Sequence, residues 1–201
     1  MRLRQLLPVL LLALSSCNTI APSPILFHRA VEANNESVSL YKSCSEGANY
    51  VPTKEGCDPV KLETKIEEVL PLSKECISAD VQQPQCYMLY SANVRVYCRI
   101  TTCASQEYGE SEAIARQFFE VQKASHGSAL QEARVAWVQA ATAYASWQWR
   151  EDRFALNAER KIDLLLCYAE GNRALQESLP GPEKIRLIQS VQVLKAITDA
   201  I

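Results

Sequence analysis

The sequence predicts an all-α protein with about six or seven helices, arranged as antiparallel hairpins, and three observations predict it. Apolar residues recur every three or four positions along most of the chain. Serine or aspartate followed by proline opens several of these segments, as is typical of helix N-termini. No strand-rich or low-complexity region interrupts them, and a hydrophobic content of 48% suits a folded domain.

The first helix is predicted by the pair Ser23-Pro24, in which a capping residue precedes proline at the first helical position. We expect this helix to run to about Ser45. The glycine-bounded stretch 47–56 follows it, and its composition predicts a loop.

Similar signals, a capping residue or a proline at the helix start, predict the second and third helices. Asp58 caps a helix in which Pro71 should cause a kink or a split, because proline lacks a donor and clashes with the preceding turn. Pro84 opens a helix to about residue 100, although the β-branched stretch 94–100 leaves a strand as the alternative. One helical stripe there contains Cys86, Tyr90, Val94 and Tyr97.

The fourth and fifth helices are separated by a short capping region. Residues 101–110 are expected to be a loop, and the next helix should cover 111–124. His126 and the glycine after it fit a helix C-terminus, and Ser128-x-x-Gln131 resembles a capping box that opens the following helix.

Residues 129–178 contain no proline and are too long for a typical single helix. The charged group 150–153 is the preferred break, with Asp152 as its cap, and one unbroken helix is the alternative. The sequence 179–182 predicts a turn, and a last helix should begin at Pro182. Its apolar face is expected to contain Ile185, Ile188, Val191, and Leu194 or Ile197.

The packing of these helices has two predicted forms. An irregular bundle is one of them. The recurrence of helix pairs from Pro84 onward is similar to tetratricopeptide stacking and indicates a hairpin array as the other, although the Trp-Leu-Gly-Tyr signature and the period of about 34 residues are absent.

The first sixteen residues have the features of a targeting segment. Arg2 and Arg4 precede a nine-residue apolar run, which is too short for a membrane span of about 20 residues and matches a signal peptide. The sequence Leu14-Ser15-Ser16-Cys17 resembles the lipobox of bacterial lipoproteins. An ordinary secretory signal, cut after Ala21, is the alternative.

The lipobox resemblance implies a mature protein that begins at Cys17, whose thiol and new α-amino group are acylated. Residues 17–23 are then a lipidated tether and 24–201 one helical domain, with a sub-boundary near 104–110 left open. Two or more acyl chains hold a protein stably on a bilayer. Asn18 follows where aspartate would retain a lipoprotein in the inner membrane, so the resemblance implies the outer membrane, facing the periplasm.

Seven cysteines remain once Cys17 is assigned to lipid. Six of them lie between residues 44 and 103, and in an oxidising compartment they predict three disulfides. Fifteen connectivities are open. Pairing of neighbours is the simplest: Cys44 with Cys57, Cys76 with Cys86, and Cys98 with Cys103.

The cysteine spacing does not favour a metal site. The six clustered cysteines are separated by 12, 18, 9, 11 and 4 residues, so no C-x-x-C occurs. Cys167 lies in an apolar run, which predicts a buried free thiol. An intermolecular disulfide is the alternative.

Charge and motifs limit the function classes. Loss of Arg2 and Arg4 changes the formal net charge from −2 to −4, and no lysine- or arginine-rich block indicates nucleic acid as a partner. Common hydrolase, zinc-protease and nucleotide-binding motifs are absent. The carboxylates at 67–68, 110 and 112 are expected to be solvated or to complement helix dipoles.

Aromatic residues cluster near residues 137–149. Trp137, Tyr144 and Trp147 share one helix face, for which core packing is the favoured explanation. Trp149 precedes the charged break, and contact with a partner or with the bilayer interface is the alternative for this residue.

These features favour a membrane-anchored envelope lipoprotein that binds or scaffolds another envelope protein, with no catalytic residue, no cofactor and no metal. The first alternative is an envelope hydrolase acting on peptidoglycan or glycan. The second is a helical carrier of an apolar ligand.

Overall fold

The computed structural model describes residues 22–46, 49–124, 128–177 and 181–201. Three predicted features lie outside these ranges: the signal peptide with Cys17, the helix end at His126, and most of the turn at 179–182. The division into signal peptide, tether and helical domain therefore stays a prediction.

The described residues form seven α-helices and almost no strand, which confirms the predicted fold class. A short 3₁₀ helix precedes α6, and two two-residue strands follow α1. The α-helices are α1 Pro22–Ser43, α2 Pro59–Ala79, α3 Pro84–Ile100, α4 Ser105–Gln122, α5 Ser128–Glu151, α6 Ala158–Gln176 and α7 Gly181–Ala200.

The helices form an array of hairpins. Each helix packs against the next along the chain, and the odd-numbered helices also contact one another in turn: α1 with α3, α3 with α5, and α5 with α7. Consequently α3, α5 and α7 lie side by side. Of the helices in the described part of the chain, none combines the length and hydrophobicity that crossing a bilayer requires.

The main core extends over most of the array. It contains buried side chains from α2 through α7, so it includes residues on both sides of 104–110. Its largest fully buried members are Tyr87, Tyr90 and Phe118, with the Tyr87 and Phe118 rings stacked at 4.7 Å between centroids. Burial on this scale is the main source of folding free energy.

Three disulfides stabilise the N-terminal half, and they have the neighbour pairing. The bridges are Cys44–Cys57, Cys76–Cys86 and Cys98–Cys103. Each bridge joins the end of one helix to the segment that follows it. A disulfide stabilises the fold by restricting the unfolded chain.

Several helix ends differ from the prediction. Helix α1 begins at Pro22 and ends at Ser43, two residues early at each end. Helix α4 begins at Ser105 rather than 111, because the Glu107 carboxylate accepts a hydrogen bond from the Ala104 N–H at 2.9 Å. The strand alternative for 94–100 is wrong, since α3 continues to Ile100.

Pro71 does not split α2. Its side chain is exposed, whereas Val69, Leu72 and Cys76 on the opposite face are buried. The missing donor therefore faces solvent, where water satisfies the carbonyl that proline leaves unpaired. At the start of this helix, Asp58 is the predicted cap and accepts from the Lys61 N–H at 3.0 Å.

The break predicted at 150–153 is present, but its cap is different. Helix α5 ends at Glu151, and the cap of α6 is Asn157, whose side chain accepts from the Arg160 N–H at 2.9 Å. Asp152 makes no side-chain cap hydrogen bond. The cap lies later because a 3₁₀ turn separates the two α-helices.

Two further local predictions were wrong. Helix α5 includes Ser128, and the Gln131 amide donates to the Ala174 carbonyl of α6 at 2.8 Å instead of closing a capping box. On α7, Ile185 and Ile188 are 59% and 37% exposed, while Leu187 is fully buried with Val191, Leu194 and Ile197.

Candidate functional site

An open groove lies across α3, α5 and α7, and we call it the α3–α5–α7 groove. It consists of two adjoining depressions of about 410 Å³ and about 480 Å³. Both depressions are lined by Ala92, Arg95, Arg99, Gln139 and Arg186. A concave site of this size is in the range that ligand-binding clefts occupy.

The groove follows from the helical period of the three elements. Each helix presents groove residues three or four positions apart, and its buried residues lie on another face. Small side chains on α5 leave the space open, because Ala136, Ala140 and Ala143 fill little of it. The groove residues include Ser91, Ala92, Arg95 and Arg99 on α3, and Glu183, Arg186, Ser190 and Val193 on α7.

Arginine side chains occupy the centre of the groove. Arg95 donates from Nε to the Ser91 carbonyl at 3.1 Å and from Nη1 to Gln139 Oε1, and Arg99 donates from Nη1 to the Tyr41 hydroxyl at 3.3 Å. Neither Arg95 nor Arg99 forms an ion pair with any carboxylate in the described ranges. In the described part of the chain, the hydrogen bonds of both guanidinium groups are therefore with neutral acceptors.

Positive charge is clustered at the centre of the α3–α5–α7 groove. Enclosure by the groove walls, followed by the charges of Arg186 and Arg99, lowers the pKa of Arg95, and Glu183 acts in the opposite direction. Among the residues that the structure describes, none that lines the larger depression is an aspartate or a glutamate. An anion placed there would reduce the repulsion among the arginines.

Carboxylate acceptors line the smaller depression of the groove. Glu132 and Glu183 line the smaller depression, and burial, followed by the charge of Glu183, raises the pKa of Glu132. Gln131 lines the same depression, and its Oε1 is buried with no hydrogen-bond partner in the described part of the chain. An unsatisfied buried acceptor costs about 1–3 kcal/mol. The arginines line both depressions, whereas Glu132 and Glu183 line only the smaller one.

The cysteine predictions are confirmed in the described structure. The six clustered cysteines are paired as neighbours, and Cys98 also lines the smaller depression of the groove. Cys167 is a buried free thiol, and burial is the main cause that raises its pKa above the usual range. A thiol in this state is chemically inert.

Core packing is confirmed for Trp137, whereas Tyr144 and Trp147 are only partly buried and belong to none of the core clusters of the described residues. Trp137 is 4% exposed and stacks on Phe119 at 4.9 Å between ring centroids. Trp149 is half-buried against the main core, with the Arg153 guanidinium 4.4 Å above its ring. A partner contact through Trp149 stays a prediction. One face of the Trp149 ring is already covered by Arg153.

The carboxylates noted in the sequence are mostly paired with cations. Glu112 is buried and accepts two hydrogen bonds from Arg160, at 2.7 and 2.6 Å, so the expectation of a solvated side chain is wrong for this residue. Glu110 pairs with Lys74 at 2.6 Å and Glu68 with Lys65 at 2.6 Å. Among the residues that the structure describes, no group of three or more His, Cys, Asp or Glu is placed to hold a metal ion.

The groove arginines are absent from the sequence-based predictions. One local signal does exist: Arg95 and Arg99 stand four apart on a helix that contains no acidic residue. Like charges at this spacing destabilise a helix, so their presence indicates a role other than helix formation.

No protein-family model, curated protein or solved structure matches the chain. The chemistry of the groove is therefore the guide to what the protein binds.

Proposed function

We propose that the protein is a lipid-anchored component of the bacterial envelope that binds another envelope protein through the α3–α5–α7 groove. The observation that carries this proposal is the open groove with two arginines that lack carboxylate partners among the described residues. Arg95 and Arg99 are both exposed, and arginine is enriched among the residues that contribute most to binding at protein interfaces.

The N-terminal region supports the membrane placement. Because α1 already begins at Pro22, only four residues, 18–21, separate it from Cys17, so the Cα atoms of Cys17 and Pro22 are at most about 17 Å apart. A body held this close to the bilayer would meet membrane-associated partners at high effective concentration.

Cell fractionation tests the anchor. The variant Cys17→Ser should move the protein from the membrane to the soluble envelope fraction, because it removes the thiol that accepts the lipid. Wild-type protein treated in parallel is the reference. Continued membrane retention of Cys17→Ser would contradict the lipoprotein assignment.

Site-specific photo-crosslinking in cells tests the binding role. A photoreactive amino acid at Gln189, which lines the larger depression, should form a discrete higher-mass adduct with one envelope protein. The same amino acid at Glu75, exposed on α2 outside the groove, is the matched control. Adducts of equal yield at both positions, or none at Gln189, would refute binding through the groove.

A second candidate function is hydrolysis of peptidoglycan or glycan, and one observation favours it. Glu132 has a raised pKa and lines the groove together with Glu183, as a general acid and a second carboxylate would. The full-length protein should then release soluble fragments from purified peptidoglycan, and Glu132→Gln should abolish the release. Equal release by wild type and Glu132→Gln would remove this candidate.

A further inference from the structure

We propose that the occupant of the groove is an extended, acidic peptide segment of the partner protein, with its carboxylates against Arg95 and Arg99. This inference rests on the proposed binding function and adds the chemistry of the bound segment. It follows from three features of the groove: arginine donors without a carboxylate partner among the described residues, carboxylate acceptors in the smaller depression, and open, mostly apolar walls.

The arginine donors match a carboxylate. Arg95 uses two of its five N–H groups within the protein, and the Ser91 and Gln139 contacts hold its guanidinium in place. Arg99 uses one N–H on Tyr41. A planar guanidinium that is already oriented binds a carboxylate in a bidentate manner at a small entropic cost.

The carboxylate acceptors match a peptide backbone. Glu132 and Glu183 line the smaller depression with exposed carboxylates, which accept hydrogen bonds. A peptide has N–H groups along its whole length, whereas a fatty acid or a phosphate ester of an acyl chain has none. A segment with N–H groups over the smaller depression and carboxylates over the larger one satisfies both.

The shape of the groove also favours a peptide over an acyl chain. Gln139, Gln189 and Ser190 line the larger depression, but the walls of both depressions are mostly apolar, and both are open to solvent. Acyl chains bind in enclosed apolar cavities that remove most of the ligand surface from water. An extended peptide tolerates an open groove, because its backbone bonds to the polar groups and its apolar side chains cover the apolar walls.

The charge distribution fixes the direction of the segment. Carboxylates are attracted by the arginines, which line both depressions, and repelled by Glu132 and Glu183, which line only the smaller one. The acidic residues of the partner should therefore lie at one end of the bound segment, over the larger depression, and not along all of it.

Fluorescence anisotropy with defined peptide pools tests the proposal. The probe is a pool of fluorescein-labelled octapeptides with two adjacent glutamates near one end and small or apolar residues elsewhere. Matched pools carry glutamine or lysine in place of the two glutamates. The glutamate pool should bind the full-length protein, in detergent, at least tenfold more tightly than either matched pool, and added salt should weaken it.

Arginine variants locate the binding. The double variant Arg95→Gln/Arg99→Gln should lose at least tenfold in affinity for the glutamate pool, while Arg29→Gln, exposed on α1 outside the groove, should bind as wild type does. Circular dichroism confirms that each variant is folded, and a salt titration of the wild type gives a measurement that needs no variant. Equal binding of the three pools, an unchanged double variant, or octanoate binding as tightly as the peptides would overturn the proposal.

The failure of this inference differs from the failure of the proposed function. If the Gln189 crosslink forms but the pools show no preference for glutamate, the groove binds a partner of other chemistry. If neither the crosslink nor any pool binding is seen, the binding function itself is wrong.

Discussion

Replacement of Gly171 by alanine should destabilise the protein, although alanine is the better helix former. Gly171 is buried in α6, where α5 and α7 pack against it. A Cβ atom at this position would lie 2.7 Å from Val191 Cγ2 and 3.3 Å from Val138 Cγ2. Real Cβ contacts are longer than this, so the neighbouring helix must move or a side chain must change rotamer.

The magnitude follows from two opposing contributions. Alanine gains about 1 kcal/mol over glycine in a helix interior. Overpacking of a close-packed core costs about 1–3 kcal/mol, and the upper end applies because the neighbours are β-branched, buried and stiff at χ1. We therefore expect Gly171→Ala to lower the free energy of unfolding by about 1–2 kcal/mol.

Gly109→Ala is the matched control. A Cβ at Gly109 would lie 3.6 Å from the Tyr144 ring, an ordinary van der Waals contact, so only the helix-forming gain applies. This variant should be more stable than wild type by about 1 kcal/mol. Both are measured by urea unfolding of the full-length protein, with disulfides intact, followed by far-ultraviolet circular dichroism.

A second substitution tests the cause directly. Val191→Ala removes the methyl group that Gly171→Ala would strike, so alanine at 171 should be neutral or stabilising in that background. The double-mutant cycle should then give a favourable coupling of about 2 kcal/mol. A stabilising Gly171→Ala in the wild-type background, or a coupling near zero, would refute the packing argument.

Three further predictions concern buried groups and bridges. Glu112→Ala should lower the free energy of unfolding by about 3 kcal/mol, because it leaves the mostly buried Arg160 charge unpaired. The apolar pair Glu112→Leu/Arg160→Met should recover most of that loss in the same urea assay. Replacement of both Cys44 and Cys57 by serine should cost about 3 kcal/mol, as expected for a bridge across 13 residues, and an unchanged unfolding midpoint would contradict this. Because burial keeps the Cys167 thiol protonated and inaccessible, maleimide should label it only in denaturant. Rapid labelling of the native protein, detected by mass spectrometry, would disprove its burial.

The features that could be predicted from the sequence are those that short segments specify. Asp58 before proline sets the start of α2, and the charged group at 150–153 ends α5. Neighbour pairing of the cysteines also depends on short separations. In each case the physical cause lies within about one or two turns of chain, so the sequence contains it.

The features that could not be predicted depend on tertiary packing. Helix α7 has apolar residues around most of its circumference, so its sequence does not distinguish the buried Leu187 from the exposed Ile185. The groove combines Arg95 and Arg99 of α3 with Arg186 of α7. Arg186 lies about ninety positions after the other two arginines in the chain. Only the contacts of α5 with both helices bring them together, and no spacing rule indicates it.

The pairing of consecutive cysteines has a consequence for the order of folding. Each bridge closes over 13, 10 or 5 residues, so both of its thiols emerge from a ribosome or a translocation channel within a short interval. The first pair can oxidise before the next cysteine appears. Contacts that are local in sequence also favour rapid folding. A chain that emerges N-terminus first can therefore complete its bridges one after another, without a disulfide isomerase to exchange wrong pairs.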